Sequence, residues 1–434
     1  MRILIFGDSI GVPQLLRFLP EENIVAIVGA TIRSQSNDEL AELSFCRNIK
    51  FLIQPRSNSE DYESFVASVR SLKPDLVFVN SYSMFIREEV LSASRLGGIN
   101  LHAGLLPRNR GCNPTQWAII NNEFITGVTM HEMDSSIDTG PIIDQRKIPI
   151  LFDDTWVDIR AREAQATNDL LESNLPEILT GSWRATPQQN KNASTGRRRT
   201  PQDSEFFWSE KIIDIHNKIR ALVPPLPPAF YFQKDQKIEI AKYLTPWELV
   251  IKKFDPSIGG GQLQSERLKL RPLKKSDSDL LYEWVKDRDL LIYNASYYPV
   301  SESDHQLRIE KMITKRSDLV IFVIELLDKQ KVIGSCQLFN INWVHRNAEL
   351  QILIGDRLHQ SKGYGIEAVE LLCDFGFEDL NLHRIYLQVF ADNARAIEAY
   401  KKCGFSHEGT QQEAVFVDGQ WKDVLNMGKL AGNG

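Results

Sequence analysis

Short apolar runs alternate with amphipathic stretches along the first hundred residues of the chain. Four runs have the length and composition of buried strands: residues 3–6, 24–28, 50–53 and 76–80. The stretches between them have the apolar spacing of helices: residues 13–18, 39–47 and 60–72. Because strands and helices alternate, the pattern predicts a parallel, doubly wound sheet.

Longer elements follow, up to a break near residue 255. In order, we predict two strands around a loop (124–150), a long helix (153–179), a polar loop (187–201), a helix (210–222) and short strands to about residue 252. The run Asp-Pro-Ser-Ile-Gly-Gly-Gly-Gln at 255–262 has the composition of a linker. Beyond Ser265 the pattern restarts and predicts a second α/β domain, with strands at 268–270, within 321–338 and at 349–354, and then helix, strand, helix.

Composition narrows the class of protein. The chain has 434 residues, of which 42% are hydrophobic, and no apolar run is long enough to cross a membrane. Five scattered cysteines without a C-x-x-C pair favour a reducing, cytoplasmic setting over a disulfide framework, and no metal site is predicted. A net charge of −6 argues against a nucleic-acid partner.

Candidate chemistry begins with Asn100 and His102, which lie two residues apart at a predicted strand end and so face the same side. Asp138 follows, within the run I-D-T-G. Acyl transfer to an amine needs an imidazole to take the proton, an amide N–H to hold the oxyanion and a carboxylate to orient the imidazole. The Asn-x-His pair alone also fits a strand end with satisfied polar groups, and Asp134 is a rival carboxylate that also fits a turn.

The neighbouring residues extend this pattern: Asn100-Leu101-His102-Ala103-Gly104-Leu105-Leu106-Pro107, Arg110-Gly111, Pro114, Gly127-Val128-Thr129, Asp134 and Asp138-Thr139-Gly140. The whole resembles the N10-formyltetrahydrofolate-dependent formyltransferases over roughly residues 1–250. The resemblance implies that Asn100, His102 and Asp138 are catalytic and that N10-formyltetrahydrofolate is the formyl donor. Ala103 and Gly104 depart from the family, which usually has serine at one of these positions.

The same resemblance implies a folate site in the loop after the strand 76–80, at the edge where ligands of open α/β sheets bind. The implied contacts are Tyr82, Ser83, Met84, Phe85 and Ile86. Relatives hold the pterin partly through backbone groups, so side-chain identity predicts little there. The alternative is an ordinary loop that packs Phe85 and Ile86 into the core.

The acceptor amine is suggested by a basic segment. Arg197-Arg198-Arg199-Thr200-Pro201-Gln202-Asp203, together with Trp208, resembles the equivalent segment of sugar formyltransferases, which act on nucleotide-linked amino sugars. This implies a UDP- or dTDP-linked amino sugar as substrate, with an arginine on its diphosphate; a solvated basic loop is the alternative. A methionyl-tRNA formyltransferase with an appended acetyltransferase-like binding module remains a rival, although the stretch before the linker is short for a tRNA-binding barrel.

A second group of candidate site residues lies beyond the linker. Gln360, Lys362, Gly363 and Gly365 stand in a loop that opens a predicted helix at 367–377, and helix N-termini bind phosphates. With Asn393, Tyr400 and Gly404-Phe405, this loop resembles the GNAT acetyltransferases over about residues 266–430. The resemblance implies that the loop binds the pyrophosphate of acetyl-CoA, that Asn393 contacts the pantetheine arm and that Tyr400 protonates the leaving thiolate. A packed core tyrosine is the alternative for Tyr400.

The general base of this second site is not evident. Glu349 is a candidate, although such a residue is more often structural. Gln388 stands where some sugar-amine acetyltransferases have a carboxylate, which leaves the substrate class of this site open.

The predicted fold class is α/β, with a Rossmann-like formyltransferase domain and a small C-terminal subdomain followed by a GNAT domain. The predicted bounds are 1–184 for the catalytic domain, 185–252 for the subdomain, 253–265 for the linker and 266–430 for the GNAT domain. The fusion resembles the tandem enzymes of pseudaminic acid biosynthesis, which implies a UDP-4-amino-4,6-dideoxyhexose as acceptor. A homodimer is one expected assembly.

Overall fold

The structure is a computed structural model that describes residues 1–255, 257–291, 301–314, 318–417 and 419–432. The chain divides into two compact units, one of Met1–Ser204 with Arg220–Pro227 and the other of Glu205–Ile219 with Pro228–Gly434. This division does not follow the four predicted ranges, whose bounds therefore stay a prediction. Among the described residues, no helix is both long and apolar enough to cross a membrane.

The first unit is built on strands and helices that alternate as predicted. Its strands are β1 (Ile3–Gly7), β2 (Ile24–Ala30), β3 (Phe51–Gln54), β4 (Leu76–Asn80), β5 (Gly98–His102), β6 (Arg110–Gly111), β7 (Ile125–Glu132), β8 (Ile142–Pro149) and β9 (Thr195–Gly196). Its helices are α1 (Gly11–Leu16), α2 (Ser34–Cys46), α3 (Tyr62–Ser71), α4 (Glu88–Leu91), α5 (Pro114–Ile120) and α6 (Trp156–Thr180).

Seven of these strands form one mixed sheet in the order β3-β2-β1-β4-β5-β7-β8. Strands β1 to β5 pair in parallel, as the alternation predicts. The two strands predicted within 124–150 are β7 and β8, which extend this sheet and run antiparallel to their neighbours. The loop 133–141 joins β7 to β8 without a crossover helix, and strands joined in this way pair antiparallel.

The core of this unit lies on both faces of the sheet. All five residues of β1 are buried. Ile3 and Ile5 pack into one apolar cluster with Leu170 of α6, whereas Leu4 and Phe6 pack into another with Phe65 of α3. Because successive side chains of a strand point to opposite faces, a strand covered on both sides must be apolar throughout.

The second unit contains most of the remaining elements. The strands after β9 are β10 (Ala229–Gln233), β11 (Gln236–Ile240), β12 (Leu263–Gln264), β13 (Leu268–Pro272), β14 (Val320–Leu326), β15 (Lys331–Asn342), β16 (Asn347–Ile354), β17 (Arg384–Phe390), β18 (Ser406–Val417) and β19 (Gln420–Leu430). The helices after α6 are α7 (Ile212–Ala221), α8 (Pro246–Phe254), α9 (Ser278–Lys286), α10 (Arg288–Leu291), α11 (Glu302–Thr314), α12 (Tyr364–Asp374) and α13 (Ala394–Lys402).

An eight-stranded sheet in the order β12-β13-β14-β15-β16-β17-β19-β18 organises this unit. Two elements differ from the predictions. Helix α8 replaces the last of the short strands expected before residue 252, and it begins with a capping box between Thr245 and Glu248 and with Pro246 in its first turn. The hairpin of β18 and β19 was not predicted, because β18 is exposed along most of its length and shows little apolar alternation.

The predicted linker takes part in the packing of the second unit. Phe254, at the end of α8, makes ring contacts with Phe322 and Phe375 at centroid distances of 5.7 and 6.0 Å. The amide of Gly261 then turns back to donate to the carbonyl of Lys253 at 2.8 Å. Pro256, within the same predicted linker, lies outside the described residues.

Candidate active sites

The first site forms where β5 ends at the carboxyl edge of the sheet. Asn100 and His102 lie on the same side of β5, as the strand period requires. Across the antiparallel pairing with β7, Asn100 lies opposite His131 and His102 lies opposite Thr129. The sheet register therefore joins two segments that are thirty residues apart in the chain.

Asp138 is brought to the same place by the loop between β7 and β8. It adopts a left-handed backbone conformation with φ of 53°. Its Oδ2 accepts a hydrogen bond from the Gly111 amide at 2.8 Å and lies 3.4 Å from His102 Nδ1. Its Oδ1 accepts from Asn100 Nδ2 at 3.3 Å. Asn100 and His102 thus both contact the carboxylate of Asp138, which brings together the three residues predicted to be catalytic at this site.

The two ring nitrogens of His102 have different roles: Nε2 makes a hydrogen bond to the backbone, and Nδ1 faces Asp138. Its Nε2 lies 2.8 Å from the carbonyl oxygen of Asn109, which can only accept, so Nε2 carries a hydrogen. In the neutral ring, Nδ1 is then the nitrogen that can take a proton. Gly104 leaves room for this ring, since a Cβ there would lie 2.9 Å from Nε2.

Burial and charge set the protonation states of the pair. Burial lowers the pKa of His102, and the neighbouring Asp138 only partly opposes this shift. For Asp138, burial raises the pKa, but favourable neighbours, His102 and the Gly111 amide among them, outweigh it and lower the value to about 2. A neutral imidazole beside an ionised carboxylate is the state that general-base catalysis requires.

The structure also shows what Asp134 and His131 contact in this region. Asp134, the rival carboxylate, accepts hydrogen bonds from Thr139 Oγ1 at 2.6 and 2.8 Å and from the Ser136 amide at 3.0 Å, so it stabilises a turn. His131 was not singled out in the sequence, although its Nε2 lies 3.1 Å from Asn100 Nδ2 and 3.5 Å from Asp138 Oδ1. Only the register between β5 and β7 could have identified it.

The predicted folate loop follows β4 and is partly built into the core. The hydroxyl of Tyr82 donates to Gln54 Oε1 at 2.9 Å, and its ring packs edge-on against Phe6. Ile86 is buried, whereas Phe85 is half exposed. Met84 is only partly buried. The side chains of Tyr82 and Ile86 therefore support the loop, the carbonyl of Phe85 accepts from Gln54 Nε2 at 3.0 Å, and the exposed ring of Phe85 remains available to a ligand.

The three arginines of the basic segment have different surroundings. Arg197 Nη1 donates to Asp203 at 2.7 Å, and the guanidinium lies over the Trp117 ring. Arg199 donates to Ser204 Oγ at 2.7 Å and is half-buried. Arg198 is exposed, and its Nη2 makes a longer contact of 3.4 Å with the carbonyl oxygen of Ser83, in the predicted folate loop.

Trp208, the other residue of the sequence pattern, lies in the core of the second unit. Its ring packs against Phe206 and Tyr231 at centroid distances of 5.3 and 5.2 Å. Trp208 therefore has a packing role in the second unit.

The second site lies where β16 and β17 separate. The two strands pair in parallel only as far as Glu349 and Tyr386, and beyond this point both continue without pairing to each other. A cleft of about 920 Å³ opens between them. Its lining includes the five residues Gln360, Gly363, Gly365, Asn393 and Tyr400, all predicted from the sequence.

The loop at this cleft presents backbone groups. Gly363 adopts a left-handed conformation with φ of 84° and caps α12. The first amide groups of α12 have no partner within the helix and can hold a phosphate. The side chain of Gln360 closes the loop by donating to the carbonyl of Ile354 at 2.9 Å. Lys362 is exposed and does not line the cleft.

Polar groups that line the cleft fit an acid and a base. Burial raises the pKa of Tyr400 to about 12, so its hydroxyl stays protonated at neutral pH. Burial also raises the pKa of Glu349, although Asn340 donates to its carboxylate at 3.2 Å. Asn393 caps α13 by accepting from the Ala396 amide. Gln388 donates to Asn426 at 3.2 Å and carries no charge.

Two parts of the chain match known protein families. Residues 21–175 match the formyl transferase family, and residues 267–406 match the acetyltransferase (GNAT) domain. The spermidine N-acetyltransferase of Vibrio cholerae, solved in complex with CoA and spermine, is 32% identical over 39% of this chain and 98% of its own, with a TM-score of 0.37. The spermidine/spermine N-acetyltransferase of the same organism, solved with manganese ions, is 33% identical over 38% and 92%, with a TM-score of 0.33.

The protein is a transferase with two acyl-transfer domains. Its first domain is a formyltransferase, and through residues 267–406 the chain belongs to the GNAT N-acetyltransferases.

Proposed function

We propose that the first site moves a formyl group from N10-formyltetrahydrofolate to the amino group of a nucleotide-linked amino sugar. The convergence of Asn100 and His102 on the carboxylate of Asp138 carries this proposal. In the reaction, the amine nitrogen bonds to the formyl carbon, the bond from that carbon to N10 breaks, and N10 takes up a proton. The chain needs no nucleophile of its own, because the amine attacks directly.

Each residue has a separate task in this scheme. His102 Nδ1 takes the proton that the amine loses, and Asp138 orients and stabilises the charged ring. An N–H of Asn100 holds the formyl oxygen as it becomes negative. Both N–H groups of Asn100 face protein acceptors in the structure, so one of them must be exchanged for that oxygen during transfer.

The arginine best suited to a nucleotide diphosphate is Arg198. Arg197 is already neutralised by Asp203, whereas Arg198 makes one long contact. A guanidinium binds phosphate oxygens well, and the proposed acceptor carries two phosphate groups. We therefore expect Arg198 to bind the substrate and to take no part in the chemistry.

Replacing Arg198 with Ala should raise KM for the nucleotide sugar about tenfold and leave kcat unchanged, because a hydrogen bond to a charged group contributes about 1.5–3 kcal/mol. Steady-state kinetics with varied acceptor measures this split. Arg197→Ala is the comparison variant, since its charge is already paired, and a smaller rise in KM is expected. A larger rise in KM for Arg197→Ala than for Arg198→Ala would show that Arg197, and not Arg198, binds the diphosphate.

We propose further that the second site transfers an acetyl group from acetyl-CoA to an amine. The cleft between β16 and β17 has room for the donor, and the first amide groups of α12 would bind its pyrophosphate. Tyr400 would protonate the thiolate that leaves, and Glu349 would take the proton of the amine. Both side chains line the same cleft.

Tyr400→Phe should lower the acetylation kcat by about ten- to a hundredfold, near the lower end of general acid catalysis, because a thiolate leaves readily even without protonation. The affinity for CoA, measured by calorimetry on the full chain, should stay the same. A variant that acetylates at the wild-type rate would reduce Tyr400 to a packing residue. Loss of CoA binding would instead assign it to the binding surface.

The acceptor class is tested with a panel of amines. UDP- and dTDP-linked amino sugars, including a UDP-4-amino-4,6-dideoxyhexose, are incubated with each donor, and products are identified by mass spectrometry. Spermidine serves as an amine without a nucleotide, and initiator methionyl-tRNA tests the rival function. We expect a formyl adduct on a nucleotide sugar alone. Formylation of the tRNA and of no sugar would contradict the proposal.

A further inference from the structure

We propose that His131 is a positioning residue of the formyl-transfer site and acts through the amide of Asn100; this inference rests on the proposed function. His131 lies on β7 directly opposite Asn100 of β5. Only 2% of its surface is exposed. Two of the three proposed catalytic residues, Asn100 and Asp138, lie within 3.5 Å of its Nε2.

The backbone fixes the tautomer of His131. Its Nδ1 lies 2.7 Å from the carbonyl oxygen of Glu132. A carbonyl only accepts, so Nδ1 carries the hydrogen, and Nε2 of the neutral ring is an acceptor. Gly140 packs against the same carbonyl, since a Cβ there would lie 1.9 Å from the Glu132 oxygen. The glycine of the I-D-T-G run thus leaves room for the group that sets the tautomer.

The Nε2 of His131 helps to decide which way the Asn100 amide faces. Asn100 Nδ2 lies 3.1 Å from this nitrogen and 3.3 Å from Asp138 Oδ1. If the amide were reversed, its oxygen would meet a lone pair of the ring and a carboxylate at the same time. The two acceptors therefore hold the amide with its N–H groups facing them.

The contact with Asp138 is the longer of the two, and this suggests how Asn100 serves the reaction. Asp138 also accepts from the Gly111 amide and faces His102, so it is the better able to release one N–H. As the formyl oxygen becomes negative, that N–H moves from Asp138 to the oxygen. The second N–H stays on His131, which keeps the donor oriented during transfer.

His131→Phe tests this role, because it keeps an aromatic ring but removes the acceptor. We expect kcat for formyl transfer to fall about tenfold or more, since small misplacements of catalytic groups can cost up to about 10². The KM values for both substrates should change by less than about twofold, as expected when only the transition state loses a contact. His131→Gln, whose amide oxygen can accept from Asn100, should recover part of the loss.

Met130→Leu is the control, because Met130 is buried on the same strand and lies in the apolar core. It should leave kcat unchanged. A wild-type kcat in His131→Phe would overturn the inference. So would a kcat in His131→Gln as low as that of His131→Phe, provided that all three variants melt at the wild-type temperature. If the wild-type chain formylates no amino sugar, the proposed function fails, which is a separate outcome.

Discussion

His102→Ala should lower kcat for formyl transfer by roughly 10²–10⁴, the range that a positioned general base contributes. The attacking amine must lose a proton, and Nδ1 of His102 is the ring nitrogen free to take it, because Nε2 is held by the Asn109 carbonyl. Steady-state rates measured by mass spectrometry of the product provide the test. The affinity for tetrahydrofolate should stay the same, since the predicted folate loop lies after a different strand.

The pH dependence of kcat offers a second measure of this residue. Burial lowers the pKa of His102, so the base stays neutral at and below the usual histidine value of about 6.5. We therefore expect kcat to stay level from pH 8 to about 6.5 and to fall only at lower pH. A fall that begins well above the usual value, or formylation by His102→Ala near the wild-type rate, would show that another group is the base.

Asp138→Asn should have an effect of similar size, roughly 10³ in kcat, because a carboxamide can place a donor where the imidazole needs an acceptor. An N–H in place of Oδ2 would bond to Nδ1 of His102 and occupy the lone pair that must take the proton. It would also meet the Gly111 amide, which now donates to that oxygen. Binding of tetrahydrofolate, followed by calorimetry, should be retained.

Asp134→Asn is the matched control for this variant. Asp134 lies in the same loop but accepts from Thr139 and Ser136. We expect it to keep most of the activity. Equal losses in the two variants would mean that the loop matters only through its fold, and a fully active Asp138→Asn would remove this residue from the mechanism.

The sequence predicted the parts of the site that rest on local patterns. Asn100 and His102 could be placed together because a strand has a period of two, and Asp138 was found through its resemblance to a known motif. His131 could not be found in this way. Its place beside Asn100 depends on the pairing of β5 with β7, which no local pattern fixes.

The same reasoning explains the elements that were missed. Strands β7 and β8 were predicted, but their antiparallel course depends on the loop that joins them; β18 was missed because it is too polar to show an apolar alternation. Helix α8 did carry a local signal, the capping box at Thr245 and Glu248, which short-strand periodicity obscured. In the basic segment, composition could not reveal that Asp203 neutralises Arg197 and leaves Arg198 exposed.

The central claim is that one chain holds two independent acyl-transfer sites, each with its own donor. The most direct test supplies both donors and the amine panel, nucleotide-linked amino sugars and spermidine included, to the wild type, to His102→Ala and to Tyr400→Phe, and resolves formylated and acetylated products by mass spectrometry. We predict that His102→Ala forms the formyl product roughly 10²–10⁴ times more slowly and the acetyl product at the wild-type rate, and that Tyr400→Phe forms the acetyl product about ten- to a hundredfold more slowly and the formyl product at the wild-type rate. Joint loss of both products in either variant, or formyl product from His102→Ala at the wild-type rate, would contradict the account.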